Sequence, residues 1–384
     1  MEEKKLTFWE ASSLVMGAGV GAGILAVPYL ASLTGFSSFL LVLALAFLFN
    51  CLLNLMLAEV LFRTGRNLQL VELMRLYVFR GRATGWLLWL VFGLLAVAFV
   101  ANLAAYVSGE GEIVTRLTGL PPRLAELVVY ACSAGVVFFG LKIVGVFEKF
   151  GAIAMFVFVL ALAAGAFTVP FRPTLMPRGS ARESLALYGM VMYGFYAFFS
   201  VPQAVKGMSH DKRKAALSIV AGLAMNGILM AGIALVAMGV SREVTRLVII
   251  GVAEAMGAWA DIVGSLFTLV AMMTSYWSVS LALADILGER TGMHPKLGWV
   301  LATVPSLLLL YAGIWRFMEW LRLAGGATAI IIVLITIPMY VNARRLGDVR
   351  APAWSLGRWG GPATLVVVFL ASVLMAVGSL VSLP

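Results

Sequence analysis

The stretch Met16–Leu30, MGAGVGAGILAVPYL, lies within an apolar run from Thr7 to Leu33 and limits what this chain can fold into. The run is long enough to cross a bilayer, whose hydrocarbon core takes about 20 helical residues. Yet Gly17, Gly19, Gly21 and Gly23 alternate through its centre, and Pro28 follows. Each interior glycine weakens a helix by about 1 kcal/mol against alanine, and proline removes a donor and clashes with the preceding turn. The pattern predicts a span that unwinds midway. Unwound backbone at membrane depth persists only where protein buries it or where it lines a polar cavity. Its freed amides then suit a carboxylate and its freed carbonyls a cation. The other reading of the same glycines is close approach of a second helix through small residues.

The rest of the chain fits a membrane interior. Of 384 residues, 62% are hydrophobic and 12% charged, and the mean hydropathy is +1.01, the composition of an all-α polytopic membrane protein in one integral membrane domain. Eleven spans are predicted, at roughly 7–33, 35–62, 84–108, 123–141, 148–169, 184–207, 214–240, 258–287, 297–313, 318–341 and 362–383. The net charge of +10 would suggest nucleic acid in a soluble protein, but here the basic residues fall in short loops between spans and no nucleic-acid partner is expected. With the N-terminus inside, 19 of the 28 Lys and Arg face the cytoplasm, so the N-terminus is expected inside and the C-terminus outside a cell membrane. No cleavable leader is expected. Cys51 and Cys132 both fall in apolar spans and read as small hydrophobes rather than a disulfide.

The sixth span repeats the oddity of the first. It reads ALYGMVMYGFYAFFSVPQAVKG, with Gly189 and Gly194 and then Val201 and Pro202, 174 residues after Val27 and Pro28. Five spans therefore repeat as the next five, over 1–170 and 184–341, with 362–384 as an additional C-terminal helix. Five is odd, so the second copy enters from the opposite face, and two interrupted helices in equivalent places point to a midplane site.

Other spans add candidate side chains. Asn102 and Tyr106 of the third share one helical face. In the eighth, Ala271-Met-Met-Thr274-Ser275 places two hydroxyls at mid-span; such hydroxyls often bond their own helix. With carbonyls freed near Gly17, Val20 and Ala271 they make about five hard oxygen ligands, which suit a small hard cation. Glu59 reads as a helix-end ion pair with Arg63 or as a proton-transfer group, and Asn50 and Asn54 as interhelical glue. Asp285 is expected to cap or to pair with Arg290. Lys142, Glu148 and Lys149 mark an inner loop, leaving the fifth span, Phe150–Val169, without Lys, Asp or Glu. Arg63–Thr84 suits an amphipathic interfacial helix, and Thr245–Gly257 either a re-entrant lid or packing over the bundle. Arg316, Glu319 and Arg322 read as a helix-end charge cluster or as an outer gate. His210 and His294 lie in loops without metal-ligand spacing, and no cofactor is expected.

With GAGVGAGILAVP opening the first span, RTGRNLQLVEL after the second and TSYWSVSLALADIL in the eighth, the chain resembles the amino acid/auxin permease family, in its tryptophan/tyrosine permease branch. The resemblance covers nearly the whole chain. It implies the LeuT-type fold, with first and sixth helices unwound at the substrate, and alternating access. It also implies substrate-carboxylate amides over Gly19, Val20, Gly21, Ala22 and Gly23, and ammonium-binding carbonyls near Tyr193, Gly194, Phe195 and Tyr196. The second sodium position of such carriers falls on Gly17, Val20, Ala271, Thr274 and Ser275, whereas Ile24 stands where a first sodium site would need Asn. The branch is usually regarded as proton-coupled, and some proton-coupled relatives carry a Lys in the fifth helix that Phe150–Val169 lacks. Sodium is the coupling ion expected, with a proton as the alternative. The aromatic run Tyr193, Phe195, Tyr196, Phe198 and Phe199 suits an aromatic or large neutral side chain, although aromatics on membrane helices more often serve packing.

The expectation is thus a monomeric symporter of small-molecule amino acids, with the lipid bilayer as its other partner. An enzyme would need convergent His, Cys, Asp or Glu within the spans. A ligand-binding sensor of the same design, which binds without translocating, is the other class.

Overall fold

The computed structural model describes residues 5–21, 23–81, 84–170, 176–177, 179–241, 244, 248–313 and 335–381. Ala22 and the cluster Arg316, Glu319 and Arg322 lie outside the described residues. Every regular element among those described is helical.

The first predicted span is two helices, α1 (Phe8–Val20) and α2 (Gly23–Thr34). It is followed by α3 (Phe36–Thr64), a short α4 (Leu70–Tyr77), α5 (Gly85–Thr118), α6 (Pro122–Phe138) and α7 (Leu141–Ala166). The sixth span is likewise split, into α8 (Ala181–Gly194) and α9 (Val201–Gly207). Then come α10 (Lys212–Val240), α11 (Val248–Met256), α12 (Ala258–Thr291), α13 (Pro295–Tyr311), α14 (helical over 335–346) and α15 (Pro362–Leu380). Six of these, α3, α5, α7, α10, α12 and α15, are single rods long and apolar enough to cross a membrane. Of the other five predicted crossings, two are the broken spans, which cross as pairs of half-helices, two are the 17-residue helices α6 and α13, and the tenth lies partly outside the described residues.

The internal repeat is visible in the helix ends. Thr7 caps α1 through a reciprocal box with Glu10, and Ser180 caps α8 through the same box with Glu183. Helices α5 and α12 both run 34 residues and stop at glycines in the left-handed region, Gly119 and Gly292. Helices α6 and α13 both run 17 residues from a proline in the first turn.

Helix α1 lies at the centre, packed on α7, α10 and α12. Helix α8 packs on α2, α3 and α15. Outward faces carry Leu41 and Leu48, Leu90 and Leu94, and Ile153, Val157 and Leu160, all exposed, the apolar coat a bilayer requires.

Several expectations are corrected. Helix α7 starts just after Gly140, seven residues before the predicted span, so Glu148 is a fully buried residue two turns into a helix rather than a loop acid. Gly140, at φ +83, makes the turn from α6 so tight that little loop remains. Helix α4 turns Leu70, Val71, Leu73 and Met74 into the protein, against α5 and α12. Arg290 pairs with Glu72 at 3.2 Å, while Asp285 accepts from Gln69. Asn50 and Asn54 both donate back into their own helix, although Asn50 also reaches Met192 Sδ. Cys132 is exposed on the outer face of α6, not buried. Helix α11 packs against α10, α12 and α2. Glu59 does pair with Arg63, at 2.7 Å, and also accepts from Tyr340 and from the Leu356 amide, tying α3 to α14 and its following loop.

Candidate functional site

The two breaks meet. A methyl added to Gly19 would stand 2.5 Å from Asn226 Nδ2 and 2.7 Å from the Gly194 carbonyl oxygen, so α1 and α8 touch where each one ends. Only a residue without a side chain permits that approach. Asn226 of α10 donates to Gly194 O at 2.6 Å, satisfying one carbonyl that the broken α8 leaves over. The segment between α8 and α9 is a series of turns, with Tyr196 N bonded to Tyr193 O at 2.9 Å and Ser200 N to Ala197 O at 2.9 Å.

The break in α1 is tied to α12 by one hydroxyl. Ser275 Oγ donates to Gly17 O at 2.6 Å and accepts from Gly21 N at 2.9 Å, holding the last turn of α1 and the first amide beyond it. Thr274 Oγ1 donates to Ala271 O at 3.0 Å within its own helix. Four of the five oxygens expected to hold a cation therefore lie in two hydrogen-bonded pairs, Ser275 with Gly17 and Thr274 with Ala271. Val20, which contributes the fifth, is the last residue of α1. A methyl on Gly17 would be 3.0 Å from Thr274 Cβ, which sets Thr274 against the same turn of α1.

A small cavity opens beside the break, lined by Ala18, Gly19, Gly21, Phe99, Asn102 and Tyr106 on one side. Tyr193, Tyr196 and Phe199 close the other. Its free volume is about 30 Å³, room for one or two waters, so the site is shut tightly around its own side chains. Tyr193 and Tyr196 stack with centroids 6.0 Å apart, and Phe99 and Phe199 meet edge to face at 4.5 Å. Two buried polar atoms of this lining, Asn102 Oδ1 and Tyr196 Oη, have no hydrogen-bond partner. A methyl on Gly21 would stand 2.6 Å from Tyr106 Oη and 2.7 Å from Ser275 Oγ, so the cavity borders the tie between α1 and α12.

The expected aromatic run divides. Tyr193 and Tyr196 face the cavity, as does Phe199. Phe195 is fully buried elsewhere, against Phe47 of α3 at 6.0 Å, and Phe198 is absent from the lining. The unwound turn explains the split, because consecutive residues there no longer follow one helical face. Of the glycine stretch, Gly19 and Gly21 border the cavity, and Gly23 opens α2, whose first amides have no partners within that helix. Gly194 contributes backbone only. Residues the sequence reading left out are Phe99, Asn226 and Glu148. Glu148 had a legible signal, since Gly145, Glu148, Gly151, Ala152 and Met155 all fall on the buried stripe of α7.

No group of His, Cys, Asp or Glu that could hold a metal occurs among the described residues. His294 caps α13 by accepting from the Lys296 amide.

The profile of the tryptophan/tyrosine permease family matches residues 4–379. No curated protein matches the sequence at a significant level. Among solved structures, the chain is similar to Mhp1, a nucleobase-cation-symport-1 family transporter captured in a closed conformation with bromovinylhydantoin bound. The likeness has a TM-score of 0.65 at 16% identity and covers 98% of this chain and 91% of that one. At that identity it carries the fold, an all-helical LeuT-type arrangement.

Proposed function

The chain belongs to the tryptophan/tyrosine permease family, and from that premise we propose that this multi-pass membrane permease is a cation-coupled symporter of amino acids with aromatic or large neutral side chains. The observation that carries the reading is the contact between two interrupted spans, with an aromatic-lined cavity beside it. The substrate carboxylate meets backbone amides within Gly19–Gly23, next to the start of α2, whose helix dipole favours an anion. The ammonium meets carbonyls of Tyr193–Tyr196, and the side chain lies among Phe99, Tyr106, Tyr196 and Phe199. The coupling ion is sodium, held by Gly17 O, Val20 O, Ala271 O, Thr274 Oγ1 and Ser275 Oγ. On arrival it exchanges two hydrogen-bonded pairs for coordination and fixes α1 against α12. Gates then open alternately around this point.

Residues 1–170 and 184–341 are the two repeats in this reading. The protein works as a monomer in the cell membrane, with its N-terminus cytoplasmic and its C-terminus outside.

Uptake of aromatic and branched-chain amino acids into proteoliposomes under imposed sodium and proton gradients tests the proposal. Accumulation driven by sodium is expected. Accumulation driven by a pH gradient without sodium would transfer coupling to the proton. Equilibrium binding with no uptake under either gradient would make the chain a sensor, and neither binding nor uptake would reject the substrate class.

A further inference from the structure

Glu148 lies beside the proposed cation site, where it and Thr274 both adjoin Gly17. It is fully buried on α7, away from bulk solvent. Oε1 accepts from Ser278 Oγ of α12 at 2.6 Å, and the same hydroxyl lies 3.3 Å from Leu14 O of α1. Oε2 has no hydrogen-bond partner. That free oxygen points at α1. A methyl on Gly17 would overlap it and would come within 2.8 Å of Glu148 Cδ. Gly151, one turn further along α7, makes room for Thr274 in the same way, since a methyl there would be 2.6 Å from Thr274 Cγ2. Gly17 and Gly151 thus shape a niche in which the free carboxyl oxygen and the Thr274 side chain lie together.

Several charged groups on or beside α1, α7 and α12 are matched elsewhere. Lys142 of α7 pairs with Glu10 of α1 at 2.5 Å, Arg290 of α12 with Glu72, and Arg116 with Asp261. Lys149, next to Glu148 in sequence, lies over the Phe150 ring. Among the described residues no cationic side chain forms an ion pair with Glu148. A charge buried in a membrane protein is retained when something of opposite sign meets it.

We propose that Glu148 is the anionic ligand of the cation site, its Oε2 completing the shell of neutral oxygens from Gly17, Val20, Ala271, Thr274 and Ser275. This rests on the cation-site reading above and deepens it. All of these neutral oxygens but that of Val20 are hydrogen-bonded in pairs, so a lone ion gains little by displacing those bonds. A carboxylate supplies one full charge against one monovalent cation, and ligand charge count is a main determinant of affinity at oxygen sites. Ser278 is the positioning residue. By holding Oε1 it fixes the direction of Oε2.

The test is the sodium dependence of thermal unfolding of the purified full-length protein in detergent, with choline replacing sodium at constant ionic strength. Direct binding of radioactive sodium serves as the second measure. Wild type is expected to be stabilised by sodium. Glu148→Gln should unfold in choline at about the wild-type temperature yet need at least about tenfold more sodium for the same stabilisation. Ser278→Ala should show a smaller shift in the same direction and provides the test if Glu148→Gln does not fold. A Glu148→Gln protein that titrates with sodium like wild type, while Thr274→Ala with Ser275→Ala has lost the response, would overturn the role of Glu148 and leave the site standing. Absence of any sodium response in wild type, or a response untouched in the double variant, would remove the site itself and this assignment with it.

Discussion

Gly19 has room for a hydrogen and nothing larger. A methyl there would press on Asn226 and on the backbone of Gly194, and backbone cannot rotate out of the way. Gly19→Ala is therefore expected to destabilise the protein by about 1–3 kcal/mol and to abolish uptake, measured by unfolding and by proteoliposome transport. The rings give a second contrast. Phe199 lines the cavity, so Phe199→Ala should change which amino acids compete for uptake. Phe195 packs on Phe47 in the core, so Phe195→Ala should cost about 3–5 kcal/mol with the same substrate ranking. From sequence, Tyr193–Phe199 could be read only as an aromatic run. Deciding which rings face inward needs the course of an unwound backbone, and no periodicity encodes that. Glu148 was hidden differently. A charged pair, Glu148–Lys149, looked like a loop, whereas the stripe of Gly145, Glu148 and Gly151 already marked one buried helical face.

At the level of elements, the breaks in the first and sixth spans were legible because glycine weakens a helix locally, and both occur where expected, although Pro28 is accommodated inside α2 rather than at the break. The paired helix ends were legible too. Thr118-Gly119 with Pro122-Arg123-Leu124 recurs as Thr291-Gly292 with Pro295-Lys296-Leu297, a stop and a start that bracket α5 and α6 and then α12 and α13. Each half-helix before a break begins with a capping box, which matters more for a rod of under four turns than for a long one. Thr7→Ala or Ser180→Ala should each lower stability by about 1 kcal/mol, read from denaturation midpoints. The tie between α1 and α12 concentrates on Ser275. Ser275→Ala removes the acceptor for Gly21 N and the donor for Gly17 O together, and should loosen α1 in hydrogen-exchange measurements more than any change at Thr274, whose hydroxyl bonds only its own helix.

Across the whole molecule, α15 is more than an appendage. It packs along α8, and the two backbones come so close that a methyl on Gly189 would stand 2.6 Å from Gly378 C. Tyr188 also donates to Ala371 O at 3.0 Å. A chain ending at Gly361 should melt at lower temperature and lose transport, although it keeps both sets of five spans. Sequence placed this helix outside the repeat and could not say what it leans on, since only packing decides that. One further property follows from Gly19, Gly194 and Asn226 converging at a single point. Two levers that share a fulcrum cannot be worked independently. In the alternating access proposed above, tilting one half-rod towards either side of the membrane drags on its counterpart, so passage to one compartment is opposed while the other stands open. Freedom from leakage in this design depends on a hinge only a few atoms wide.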